Sequence, residues 1–180
     1  WTRRGYAVET MPRPDMEAPP FRATTTAGEP FALKDLRGRI VVLYFFRRAF
    51  TRNCTVETKG FRDNYADLRA IGAEVVGVSC DDNATQCRFA ETQGVQFPMI
   101  ADTDREISNL YRTFFWLLPR VSHRVTYVID RDGTIAGVFN HEFQVSKHLD
   151  EVLRFVEELA GIGVTSRPPS TLTPSPEGET

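Results

Sequence analysis

The run Ile40-Val41-Val42-Leu43-Tyr44-Phe45-Phe46 places seven apolar residues in a row. It is far short of the roughly 18 that a membrane helix needs, and its β-branched and aromatic make-up suits a strand. A strand that is apolar at every position, rather than at alternate ones, is buried on both faces. The chain must therefore supply cover for both sides of a sheet containing residues 39–46.

The elements that follow provide it. Phe61, Tyr65 and Leu68 stand at i, i+4 and i+7, which predicts an amphipathic helix over 54–70 that Gly72 stops. EVVGVSC at 74–80 reads as a second strand. Asp81, Asp82 or Asn83 can cap a helix running to Gly94. Residues 97–101 read as a third strand despite Pro98, and 103–111 allow a short helix. RVTYVID at 124–130 is a strand, Arg131-Asp132-Gly133 a turn, and 134–139 its hairpin partner. Ser146 caps a last helix with the face Leu149, Val152, Leu153, Val156 and Leu159, while 31–38 reads as a short element ending in a turn. This order of strands and helices implies an α/β class with a mixed sheet.

One domain over residues 18–163 accounts for these signals. Residues 1–17 are polar and proline-containing and are expected to be loose. Residues 164–180, with four prolines and seven serines or threonines after Val164, cannot bury a core and are expected to be disordered. The net charge of -2 excludes a strongly basic nucleic-acid binder. Three cysteines are too few for a disulfide-stapled scaffold and suit a reducing compartment, so a cytoplasmic location is expected. The chain begins at Trp1, with Met11 a candidate start, so an upstream targeting segment stays open.

Chemistry concentrates at Thr51-Arg52-Asn53-Cys54-Thr55-Val56-Glu57. Cys54 stands where the loop after the first core strand enters a helix, and the unpaired N–H groups and macrodipole of a helix N-terminus favour thiolate. The Thr51 hydroxyl, three residues earlier, can donate to the sulfur or orient an incoming oxygen. On position alone Cys54 is equally well a small buried apolar residue.

The segments VVLYFFRRAFTRNCTVE, GAEVVGVSCDD, RFAETQGVQFPMIAD and RVTYVIDRDG, together with Ala18-Pro19-Pro20-Phe21, resemble a peroxiredoxin of the Q-type or bacterioferritin-comigratory subgroup, over nearly the whole domain. The resemblance implies a thioredoxin-like fold, a central mixed sheet flanked by helices. It also implies a thiol-dependent peroxidase reducing hydrogen peroxide and organic hydroperoxides through a sulfenic acid, in antioxidant defence and redox homeostasis. The family's peroxidatic cysteine falls on Cys54, its threonine on Thr51 and its arginine on Arg124. An arginine suits the role because it stays charged and can hydrogen-bond both sulfur and peroxide. Glu57 fits the subgroup's CTxE pattern, either orienting Arg124 or complementing the helix dipole.

The chain also departs from the family. Where the family places a proline four residues before Thr51, this chain has Arg47, which can assist ionisation or open the pocket to water. Arg52 and Asn53 replace a frequent Pro-Gly. The resolving cysteine that many relatives carry five residues after the peroxidatic one is Lys59 here, and the position used by others is Ala90. Cys87, one turn before Ala90, is the candidate resolver after local unwinding of its helix. Cys80, at the end of the second strand, is a second candidate, and a packed core thiol is the alternative for both. The competing expectation is a one-Cys enzyme.

There is no C-x-x-C motif, no glycine-rich phosphate loop and no phosphatase spacing, and His123, His141 and His148 have no metal-ligand spacing with the cysteines. His123 reads as a loop histidine or a pocket wall. The apolar stretch 113–119 is a pocket cover, a dimer face or a buried loop. The resemblance implies no metal and no organic cofactor, and no nucleic-acid or membrane partner. It implies electrons from thioredoxin, glutaredoxin or a small thiol, in a monomer or homodimer. The alternative from a different class is a catalytically impaired redoxin-fold binding module, for which Arg47 and the missing usual resolver speak.

Overall fold

The computed structural model describes residues 11–114, 122–140 and 144–161. The expected tail from 164 and most of the apolar stretch 113–119 lie outside them, as does His141. In chain order the elements are β1 (Arg22–Thr24), β2 (Pro30–Ala32), a 3₁₀ turn (Leu33–Leu36), β3 (Ile40–Phe45), α1 (Arg52–Ala70) and β4 (Ala73–Ser79). There follow α2 (Asn83–Gln93), β5 (Met99–Ala101), α3 (Glu106–Leu110), β6 (Val125–Ile129), β7 (Ile135–Phe139) and α4 (Val145–Leu159).

Five strands form a mixed sheet in the order β5-β4-β3-β6-β7. β3 runs parallel to β4, and β4 to β5, while β6 is antiparallel to both β3 and β7. The apolar run therefore occupies the central strand, and all six of its residues are buried. Successive side chains alternate between two cores. Ile40, Val42, Tyr44 and Phe46 pack with Phe61 and Leu68 of α1, Phe89 of α2 and the α4 stripe Leu149, Val152, Leu153 and Val156. Val41, Leu43 and Phe45 pack with Ile107, Tyr111, Tyr127 and Leu33 on the other face.

Local chemistry sets the boundaries. The Asp82 side chain accepts from the Thr85 N–H as the α2 N-cap, and Gly94 ends that helix at φ 64°, as a glycine C-cap does. α4 begins one residue before Ser146, with Gln144 as its cap residue and no side-chain cap bond, so Ser146 is not the cap. The apolar stripe of α4, not a serine, fixes where that helix starts. β1 and β2, each three residues long, form a hairpin that carries no apolar run long enough to mark it. Its tip reaches the sheet edge, where Thr26 N–H donates to Met99 O at 2.9 Å. Residues 15–17, expected to be loose, are fastened instead. Asp15 N–H donates to Ile135 O and Ala18 N–H to Gly133 O, both at 2.9 Å, and Met16 O accepts from Ile135 N–H at 2.8 Å. An unpaired strand edge offers these partners whatever the polarity of the side chains.

Gly77 in β4 sits where a Cβ would stand 2.6 Å from Met99 Sδ and 2.8 Å from Tyr44 Oη. Gly77→Ala is therefore expected to destabilise the domain by about 1–3 kcal/mol through overpacking, read as a lower urea midpoint with unchanged slope.

Candidate active site

α1 starts at the C-terminal end of β3, and Cys54 is its third residue. The first intrahelical bond runs from Thr55 N–H to Thr51 O at 2.9 Å. The N–H groups of Arg52, Asn53 and Cys54 thus precede the ladder, where a helix presents donors and partial positive charge. The Cys54 side chain is 1% exposed. Its sulfur meets Arg124, whose Nη2 stands 3.5 Å from Sγ. Arg124 lies just before β6 and is itself 1% exposed. Alternation along β6 turns Arg124, Thr126 and Val128 toward the α1 and α4 side.

A buried guanidinium is tolerated only with a partner. Glu57 supplies it, since its Oε2 accepts from Arg124 Nη1 and neither side chain is exposed by more than 1%. Glu57 is one turn beyond Cys54, at i+3, so both point at the same arginine. Burial pushes the Glu57 carboxyl from its ordinary 4.5 to about 7, against the opposing pull of Arg124. Glu57 is thus buried and in contact with Arg124. Beneath it, Tyr44 Oη and Thr58 Oγ1 lie 3.2 Å apart, and burial holds the phenol far into its neutral range.

Thr51 is the residue before α1, and its exposed hydroxyl donates to Arg48 O at 3.0 Å, with no cap bond to the helix. Arg47 lies half-buried in the β3–α1 loop. That loop is held by Ala49 N–H, which donates to Asp81 Oδ2 at 2.7 Å. Phe50 adopts φ 63°, a left-handed conformation uncommon for a large side chain. Its exposed ring meets Phe89 edge-on at 5.2 Å, with the Arg88 guanidinium 5.7 Å from its centroid. His123 N–H donates to Thr113 O at 2.6 Å.

The other two cysteines stand apart from this cluster. Cys80 is buried on the opposite face of the sheet, its sulfur 3.4 Å from Ser108 Oγ and 3.2 Å from Ser122 Oγ, and burial pushes its thiol up. Cys87 is half-buried on α2, its sulfur 3.7 Å from Glu91 Oε1, in a groove shared with Tyr65, Arg69 and Glu74. Partial burial and the Glu91 charge push that thiol up as well. All three are free thiols. His148, weighed in the sequence only as a metal ligand, lies against this cluster. It is wholly buried, with Nε2 2.8 Å from Thr126 Oγ1 and 3.5 Å from Glu57 Oε1. Its place one turn before Val152, on the apolar stripe of α4, was the available signal.

The AhpC/TSA family model matches residues 14–138. The chain belongs to the AhpC/TSA family. Within it, the chain is 34% identical over 148 residues to Peroxiredoxin Bcp of Escherichia coli strain K12, covering 79% of this chain and 94% of that one. It is 33% identical over 141 residues to the chloroplastic Peroxiredoxin Q of Sedum lineare, covering 78% and 76%. The crystal structure of peroxidoxin BcpB from Mycobacterium tuberculosis superposes with a TM-score of 0.75 at 30% identity, over 83% of this chain and 98% of that one. Peroxiredoxin Q of Xanthomonas campestris, at 23% identity, shares the fold with a TM-score of 0.72 over 78% and 91%. The thioredoxin-like architecture and the Q-type or Bcp subgroup expected from the sequence are both what these relatives share.

The raised Glu57 carboxyl has a consequence for stability. Its protonated form is favoured in the folded state, so the stability it contributes is full below about pH 4.5 and lost as pH rises to about 7. The urea midpoint of the wild type, relative to Glu57→Gln, is expected to fall across that interval and stay level above it. A difference that rises with pH would mean that pairing with Arg124 outweighs burial.

Proposed function

We propose that this thiol peroxidase of the AhpC/TSA family reacts through Cys54. The thiolate attacks the terminal oxygen of hydrogen peroxide or an organic hydroperoxide, an S–O bond forms and the O–O bond breaks. Sulfur is oxidised to a sulfenic acid, and the leaving oxygen takes a proton and departs as water or an alcohol. The observation that carries this reading is the Arg124 guanidinium 3.5 Å from Cys54 Sγ, with both groups buried. A fixed positive charge in a dry site stabilises negative charge on the sulfur and then on the leaving oxygen. The N–H groups opening α1 add donors on the same side. Thr51 Oγ1, whose proton is engaged by Arg48 O, keeps lone pairs to accept the peroxide hydroxyl. Arg47 contributes charge at the loop, not the shielding of a proline.

A binding module without catalysis has no need of Cys54, Glu57 and Arg124 in mutual contact, and that alternative is not favoured. For the sulfenic acid we propose attack by Cys87 after local unwinding of α2, an S–S bond forming as the S–O bond breaks and water leaves, with the disulfide then reduced from outside, since folded Cys87 faces Glu91 and a separate groove. Cys80, on the far face of the sheet, is better suited to packing. The reductant is an external thiol, from thioredoxin, glutaredoxin or a small molecule, and the three free thiols fit a reducing compartment such as the cytoplasm. Among the described residues, no helix is long and apolar enough to cross a membrane.

Two measurements check this. One equivalent of peroxide is expected to oxidise Cys54, read by intact mass and peptide mapping as a Cys54–Cys87 link. Cys87→Ser is expected to leave a trappable sulfenic acid on Cys54 instead. A monomeric disulfide persisting in Cys87→Ser would eliminate Cys87 as resolver, and a protein inert to peroxide would return the binding module. Arg124→Lys, which keeps a charge but loses the planar fork, is expected to slow sulfenic acid formation on the order of 100-fold, measured with a trapping reagent.

A further inference from the structure

His148 reaches the Cys54 cluster from α4, and nothing in the chemistry above accounts for it. It occupies a fully buried position on an apolar stripe, between the sheet and α1. A leucine there would pack without polar partners to find, whereas a buried imidazole costs free energy unless it is bonded. Its Nε2 lies 2.8 Å from Thr126 Oγ1 and 3.5 Å from Glu57 Oε1. Glu57 turns its other oxygen, Oε2, to Arg124 Nη1, and Arg124 turns Nη2 to Cys54 Sγ. Glu57 Oε1 makes no hydrogen bond among the described residues, and the ring nitrogen it faces is His148 Nε2. A contact chain thus runs from α4 through α1 and β6 to the sulfur.

We propose that His148 is a positioning residue of the Cys54 site, acting through Glu57 to fix the Arg124 guanidinium against the sulfur. The proposal rests on the reading of Cys54 as the reacting thiol. With Cys54 ionised and Glu57 a carboxylate, two negative charges face one buried arginine, and a proton on His148 would balance them. Among the described residues, titratable and charged groups around His148 and Glu57 include Cys54 from α1, Arg124 before β6 and Tyr44 from β3, whose phenol burial keeps neutral. Burial already holds the Glu57 carboxyl near 7, where an imidazole also titrates. A proton taken up or released by this pair would offset the charge lost or gained as the sulfur passes between thiolate and sulfenic acid.

The test uses the full chain as wild type, His148→Gln and His148→Leu, from about pH 5 to about pH 8, where imidazole titrates. Cys54 is followed by peptide mapping for two reactions, sulfenic acid formation with hydrogen peroxide and alkylation by iodoacetamide. Leucine is expected to slow both on the order of 10- to 100-fold by releasing Glu57 and Arg124. Glutamine can bond Thr126 and Glu57 but cannot titrate, so it is expected to recover most of the rate and to flatten the pH profile. The proposal falls if leucine reacts at the wild-type rate at every pH, or if both variants slow equally and keep the wild-type profile, which is packing alone. Should His148→Leu not fold, the glutamine profile decides, and an unchanged profile overturns the proposal. If the wild type ignores peroxide while Cys54 alkylation follows the expected pattern, the peroxidase reading fails and the positioning role stands.

Discussion

A guanidinium buried to 1% exposure is the constraint around which this molecule is arranged. Arg124 cannot shed its charge, so the fold must bring a carboxylate to it. Glu57 does so from α1, and the pair ties that helix to the residue that precedes β6. Because Cys54 is one turn earlier on the same helix face, satisfying the arginine also aims the sulfur. Removing one partner of such a pair costs about 3–5 kcal/mol, a large share of the 5–15 kcal/mol that holds an ordinary domain together. Stability and reactivity here depend on the same contact.

The sheet extends that arrangement by alternation. Residues of one parity in β3 and β6 face the three helices and build the reactive side, with Tyr44, Arg124 and Thr126 among them. Residues of the other parity build a largely apolar and aromatic layer beneath, where the Tyr111 and Tyr127 rings meet edge-on with centroids 5.0 Å apart. Moving a strand by one residue would exchange the two sets. The strand register is therefore as much a part of the site as any of its side chains.

Much of this was legible in the chain. The seven-residue apolar run is the central strand, Gly94 is a helix stop, and Asp82 is a cap, because each rests on local backbone or solvation rules. Cys54, Glu57 and Arg124 were identified through the motif that carries the resemblance, and the fold brings all three into contact across 70 residues of sequence. What stayed hidden depends on tertiary context. The three-residue strands of the N-terminal hairpin, and the pairing of residues 15–18 with the β6–β7 hairpin, are set by an available sheet edge and leave no periodic signal. His148 lay on a recognised helix stripe but could be weighed only once Glu57 and Thr126 were known to converge on it.

The Asp81 carboxylate stands between two segments, accepting from Ala49 N–H in the β3–α1 loop and from Ser79 Oγ at the end of β4, with Ser79 Oγ also at 2.6 Å from Gln86 of α2. It immediately precedes the Asp82 cap of α2. The loop that leads to Thr51 and the helix that carries Cys87 thus share a buried hydrogen-bond knot. Loosening it would slacken both ends together, so the segments bearing the two thiols are geared to each other even though their sulfurs face different ways.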